Sequence, residues 1–93
     1  MGLDLDGRRV VGLRFRPGGR VCQVRAGREV ILAAGAIGSP HLLQVSGIGD
    51  PAHLADLGVW VHHTLTEVGA NFQDHYAVRV HQVTRPVTLN ERA

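Results

Sequence analysis

Hydrophobic and polar residues alternate over two early stretches of the chain. Between Arg9 and Arg16, Val11, Leu13 and Phe15 fall on one face, while Gly12, Arg14 and Arg16 fall on the other. That is the period-two pattern of a half-buried strand. Pro17, Gly18 and Gly19 interrupt it, and alternation returns from Arg20 to Ala26 with Cys22 and Val24 on the apolar side. Two such runs around a glycine-rich loop predict a β-hairpin over residues 8–26. Upstream, Asp4, Leu5, Asp6 and Gly7 read as a turn, since Asp-Gly is a strong turn dipeptide. Downstream the pattern changes. Val30, Ile31, Leu32, Ala33 and Ala34 form an unbroken apolar run between the charged pair Arg28-Glu29 and Gly35. A short run with no polar face fits a strand covered on both sides, as in a parallel sheet.

Helix signals follow. Ser39 reads as an N-cap with Pro40 at the first helical position; Leu42 and Leu43 supply the apolar side, and Gly47 and Gly49 stop the helix. Asp50 and Pro51 repeat the same start for a second helix, with Leu54 and Leu57 three apart and Gly58 as its stop. Val59, Trp60 and Val61 read as a brief extended piece. Residues 67–75 carry Gly, Asn and Asp without periodicity and predict a loop or a single helical turn. Tyr76, Val78 and Val80 then alternate with Ala77 and Arg79, which predicts the start of a further strand over residues 76–85, ended by Pro86. The class implied is α/β. A strand, a glycine turn and a helix is also the local geometry that brings main chain close to a ligand at the carboxyl end of a sheet.

The stretch Gly35-Ala36-Ile37-Gly38-Ser39-Pro40-His41-Leu42-Leu43-Gln44-Val45-Ser46-Gly47-Ile48-Gly49 resembles the second signature of the glucose-methanol-choline (GMC) oxidoreductase family. That signature reads GA, two variable residues, SP, one variable residue, LL, two variable residues, then SGIG. All its fixed positions are filled. Residues 68–75, VGANFQDH, resemble the family's VG-x-N-LQDH segment, and residues 8–15, RRVVGLRF, are also similar to the family. Phe72 stands where Leu is usual, and Gly38 where a polar residue is common. The resemblance implies a partial FAD-binding domain, Rossmann-like and of the p-hydroxybenzoate-hydroxylase (PHBH) type, over residues 1–93. Within it lie the hairpin at 8–26, the core strand and signature at 28–49, the flavin-side loop at 67–75 and a further strand at 76–85. The activity implied is oxidation of a small-molecule alcohol by hydride transfer to FAD.

Composition adds bounds. The chain has 93 residues and a formal charge of +2, and all ten of its basic residues are arginine. Seven of these fall between Arg8 and Arg28. They alternate with apolar residues rather than forming a block, as a solvated strand face does, so no nucleic-acid partner is expected. A stand-alone basic module for an anionic partner is the rival reading from another class, to be recognised by salt-sensitive binding; a non-functional gene remnant is a third. A domain of this length supports only one small core, and members of the resembled family are several times longer. The chain therefore reads as an internal fragment, inactive alone and marginally stable, because the strand from Val30 would lack its neighbours. One cysteine, Cys22, allows no internal disulfide, which agrees with a reducing compartment such as the cytoplasm. No apolar run approaches the ~20 residues of a membrane span, and the residues after Met1 lack the apolar stretch of a signal peptide.

Three kinds of chemistry compete. The six histidines are scattered, the adjacent His62 and His63 would point to opposite strand faces, and no zinc spacing is present, so no metal site is expected. Ser39 and Ser46 lack the G-x-S-x-G elbow of hydrolases. Cofactor binding is left. Gly35 has no Cβ and can take positive φ, which lets a bulky group approach the main chain of Ala34, Gly35 and Ala36. Ser39 either caps the helix or contacts the cofactor. From the resemblance, Asn71 and Asp74 fix the flavin or the backbone beside it, and His75 either does the same or closes the loop. No catalytic residue is assigned: the family's proton-accepting histidine belongs to a region this sequence does not contain. Its dinucleotide-binding G-x-G-x-x-G is likewise not found here.

Overall fold

The computed structural model describes residues 1–80. It opens with a three-stranded antiparallel meander: β1 (Gly2–Asp6), β2 (Arg9–Phe15) and β3 (Cys22–Arg25), in that spatial order. The expected hairpin at 8–26 is present as β2 and β3. The expected turn at Asp4 is displaced, however. Asp4, Leu5 and Asp6 belong to β1, and the reversal is made by Gly7 and Arg8 alone, between the paired residues Asp6 and Arg9. Gly7 sits at φ 55°, the left-handed conformation that two-residue hairpin loops require.

Register explains the faces. Leu3 pairs with Leu13, and Leu13 with Val24, so one apolar row crosses all three strands. On the other face, Asp4 Oδ1 lies 2.7 Å from Arg14 Nε, and Asp4 Oδ2 accepts a hydrogen bond from Gln23 Nε2 at 2.8 Å. The β1–β2 register shifts between Asp4 and Leu5, the mark of a bulge, which leaves Val11 unmatched. The Val11 carbonyl instead accepts from the Ala26 N–H at 2.9 Å, tying the end of β3 back to β2.

The apolar run from Val30 to Ala34 does not form the expected buried strand. It belongs to no helix or strand, and Ile31 is 79% exposed. A strand needs a neighbour to take its backbone hydrogen bonds, and no described residue supplies one. Helix α1 (Gly35–Val45) follows. It begins one turn earlier than Ser39 and Pro40 suggested, so Pro40 lies inside the helix and Ser39 is not its cap. The Ser39 hydroxyl instead accepts from the Ala34 N–H at 3.1 Å, satisfying a donor just ahead of the first turn. Of the expected 76–85 strand, residues 76–80 are exposed and belong to no strand among the described residues, and the remainder of that span, with Pro86, lies outside the described residues.

Parallel pairing occurs elsewhere. β4 (Ile48–Gly49) and β5 (His63–Thr64) run parallel, joined through α2 (Pro51–Asp56), a miniature β-α-β unit. Its boundaries follow local chemistry. Asp50 caps α2, with Oδ1 accepting from the His53 N–H at 2.9 Å, and Pro51 sits at the first position. Gly58, at φ 68°, ends the helix: its N–H reaches the Ala55 carbonyl while that of Val59 reaches Leu54. These are the paired bonds of a Schellman stop. Leu54 is fully buried, and Ile48 and Leu3 are the other buried hydrophobic residues among those described. Burying a leucine contributes roughly 1.5–3 kcal/mol. The observed class is α/β.

Candidate functional site

The first turns of α1 and the segment from Glu67 to Gln73 face each other across an open groove of about 400 Å³. Two side-chain amides hold its walls. Gln44, on α1, donates from Nε2 to the Val68 carbonyl at 3.0 Å. Asn71 donates from Nδ2 to Glu67 Oε2 at 2.6 Å, while the Ala70 N–H reaches the Glu67 carbonyl at 3.1 Å. Asn71 is held at φ 56°, and among the described residues no other non-glycine residue has positive φ. Asn tolerates this conformation better than most side chains, and such positions concentrate at ligand-binding sites. Gly69, at φ 80°, approaches Gln44 so closely that a Cβ there would lie 2.5 Å from Nε2.

The six expected site residues are only partly assembled. Ala36, Ser39 and Asn71 line the same groove. Ala34 and Gly35 lie just ahead of it, exposed, at the corner where the chain enters α1. Gly35 sits at φ 79° with nothing within 4 Å of where its Cβ would be, so the main chain there is open to approach. Asp74 does not line the groove. Its Oδ1 accepts from the His75 N–H at 2.7 Å, and its side chain is exposed.

Gln44 and Glu67 escaped sequence reasoning. Gln44 occupies a variable position of the signature and carries no local signal, because its partner is 24 residues away. Glu67 was legible: it stands four residues before Asn71, a spacing that favours side-chain contact in a turn or helix. Among the described residues no group of three or more His, Cys, Asp or Glu is placed to hold a metal ion, and no helix is long and apolar enough to cross a membrane.

With this geometry in view, the relationships of the chain are decisive. A family model described as GMC oxidoreductase matches residues 3–77. The chain belongs to the GMC oxidoreductase family. Among similar curated proteins, the oxygen-dependent choline dehydrogenase of Staphylococcus saprophyticus is 48% identical over 88 residues, covering 94% of this chain. That of Chromohalobacter salexigens is 43% identical over 88 residues, again 94% of the chain. That of Brucella ovis is 45% identical over 86 residues, or 91% of the chain. In each case this GMC chain spans 16% of the relative's length. The groove and its walls, residues 36–73, lie wholly within the family match.

Proposed function

We propose that residues 1–93 are part of the FAD-binding domain of an oxidoreductase acting on CH–OH groups. The observation that carries this reading is the groove shared by Ala36, Ser39 and Asn71, set between two segments of a GMC chain. The residues fit such a group. The corner at Gly35 offers bare, left-handed main chain with open space around it. The first turn of α1 carries N–H groups with no intrahelical acceptor, suited to an electron-rich edge or a phosphate. When bound, FAD supplies the hydride-accepting chemistry of alcohol oxidation.

In this reading the chain's own residues position rather than react. Ala34, Gly35 and Ala36 admit the cofactor to the backbone. Ser39 steadies the corner through the Ala34 N–H. Asn71 presents its main chain from a fixed left-handed turn, and Asp74 acts on the backbone of the same loop. The base that takes the hydroxyl proton lies outside residues 1–93; assistance of that kind is typically worth ~10²–10⁴-fold. A small alcohol of the choline class is the first substrate to try, after the relatives' names.

Two measurements test the reading. Residues 1–93 alone, mixed with FAD, are expected to form no stoichiometric yellow complex and to oxidise no alcohol. Grafted in place of the matching stretch of the S. saprophyticus enzyme, the same residues are expected to give a flavoprotein whose flavin bleaches on adding alcohol. A folded chimera that carries no flavin would overturn the proposal.

A further inference from the structure

Arginines that are interleaved along the sequence are gathered in space by the meander. Arg14 and Arg25 each follow a residue of the apolar row Leu3–Leu13–Val24, so both stand on the opposite face of the sheet. The Asp4 carboxylate is already held on that face, 2.7 Å from Arg14 Nε and 2.8 Å from Gln23 Nε2. Arg14 meets it through Nε, so its terminal Nη groups are not part of the pair. Arg16, Arg20 and Arg25 are exposed and form no ion pair among the described residues. Residues 1–28 hold seven arginines against two aspartates, whereas acidic residues predominate in the rest of the chain. At the loop end of the hairpin these cations meet apolar surface. Arg14 and Arg16 line a shallow hollow of about 150 Å³ together with Met1, Phe15 and Val21. Val21 is 64% exposed there.

We infer that this end of the meander is a docking surface for an acidic polypeptide, an extended segment in which carboxylates flank an apolar side chain. The apolar side chain enters the hollow against Phe15 and Val21, and the flanking carboxylates take the guanidinium groups of Arg14 and Arg16. The order Arg14-Phe15-Arg16 is thus matched residue for residue by acid, apolar, acid. Spacing fits as well, since two residues of extended chain span ~6.8 Å on either side of the contact. Asp4 shows the chemistry, because the same face already takes a carboxylate on Arg14 and Gln23, which arginine's planar fork favours. A nucleic acid fits less well. Single strands are held by aromatic faces that stack on bases as well as by cations, and Phe15, the aromatic side chain at the hollow, is half-buried within β2. No residue of the flavin groove takes part, so the surface stands apart from the cofactor reading.

The test titrates the 93-residue chain into a fluorescein-labelled peptide, Glu-Asp-Glu-Leu-Glu-Asp-Glu, and reads fluorescence anisotropy. Saturable binding that weakens as salt is added is expected. Arg14→Gln together with Arg16→Gln is expected to weaken it about 10-fold, the scale of two exposed ion pairs. Because Arg14→Gln also releases Asp4, Arg16→Gln alone is the cleaner variant: about 3-fold weaker binding, with the urea midpoint unchanged. Val21→Ser in the chain, or serine for leucine in the peptide, is expected to cost about 3-fold through lost apolar contact. Arg79→Gln, a charge removed outside the meander, should change nothing. A loss from Arg79→Gln as large as that from Arg16→Gln would overturn the inference, since net charge alone would then be the attraction. So would the absence of saturable binding. Tighter binding to a thymidine oligonucleotide of equal charge, or to vesicles containing phosphatidylserine, would also overturn it, because the partner would then be a nucleic acid or a membrane.

Discussion

Two neighbouring regions of this chain are built on opposite terms. From Ser46 to Leu65 nearly every turn is closed by groups close at hand. The Gly47 carbonyl accepts from both the His62 and His63 N–H groups, the Gly49 carbonyl from Leu65, and Asp50 and Gly58 finish the two ends of α2. Residues 29–33, only a helix away, have comparable apolar character and no such closure. The difference lies in how far each region must reach. A β-α-β unit as short as β4–α2–β5 finds its partners one helix along the chain, Ile48 pairing with His63, whereas a central strand depends on chain far off in sequence. Loop-closure entropy separates the two cases, and satisfied backbone groups mark which one has been met.

Substitutions can break the closed region or sharpen its contrast with the open one. The largest loss is expected from Gly47→Ala. Gly47 is at φ 81°, and a Cβ there would lie 2.3 Å from the Trp60 carbonyl oxygen, a backbone atom that cannot swing aside. Left-handed strain and forced repacking together are expected to cost roughly 2–4 kcal/mol, read as a lower urea midpoint. Ser46→Ala comes next. The Ser46 hydroxyl is buried, accepts from the Leu3 N–H at 2.8 Å and donates to the Leu42 carbonyl at 2.6 Å, joining β1 to the end of α1. Leaving the Leu3 donor unmet is expected to cost roughly 1–3 kcal/mol, with faster exchange at the Leu3 amide as the direct sign.

Smaller effects follow. Asp50→Ala removes the cap of α2 and is expected to cost about 1 kcal/mol; Asp50→Ser should recover most of it in the same denaturation series. The Asp4–Arg14 pair is expected to contribute under ~1 kcal/mol, because the arginine side chain is 59% exposed. A double-mutant cycle with Asp4→Asn and Arg14→Gln would measure it, and added salt should shrink it further. At the end of the scale, Ile31→Lys should leave the free chain's stability unchanged, since 79% of Ile31 already meets solvent. An appreciable loss there would mean that the open region is closed after all.

Much of the fold was legible where the deciding residues sit near one another. The alternation through Val11, Leu13 and Phe15 announced β2, and the Asp50-Pro51 start and Gly58 stop of α2 are where their chemistry put them. Reading failed where a local signal had a competitor. Asp4 and Leu5 looked like turn residues beside Gly7, but Arg14 and Gln23 across the sheet hold Asp4 in a strand. Ser39 and Pro40 looked like a helix start, yet the small residues before them extend α1 back to Gly35. In the site, the signature marked Gly35, Ala36 and Ser39, and the VGANFQDH segment marked Asn71. That Ala36, Ser39 and Asn71 share a groove while Asp74 does not is a fact of packing.

The sequence by itself determined the family, the α/β class and the places where the chain must turn, because caps, glycines and periodicity act over a few residues. Only the tertiary structure decided which predicted strands find partners. It moved the parallel pairing from the apolar run at Val30 to Ile48–Gly49 and His63–Thr64. It also set Gln44 against Val68, 24 residues apart, to close one wall of the groove. Strand pairing and long-range hydrogen bonds are settled by which backbone groups meet in space, and neither leaves a mark in the residues on one side alone.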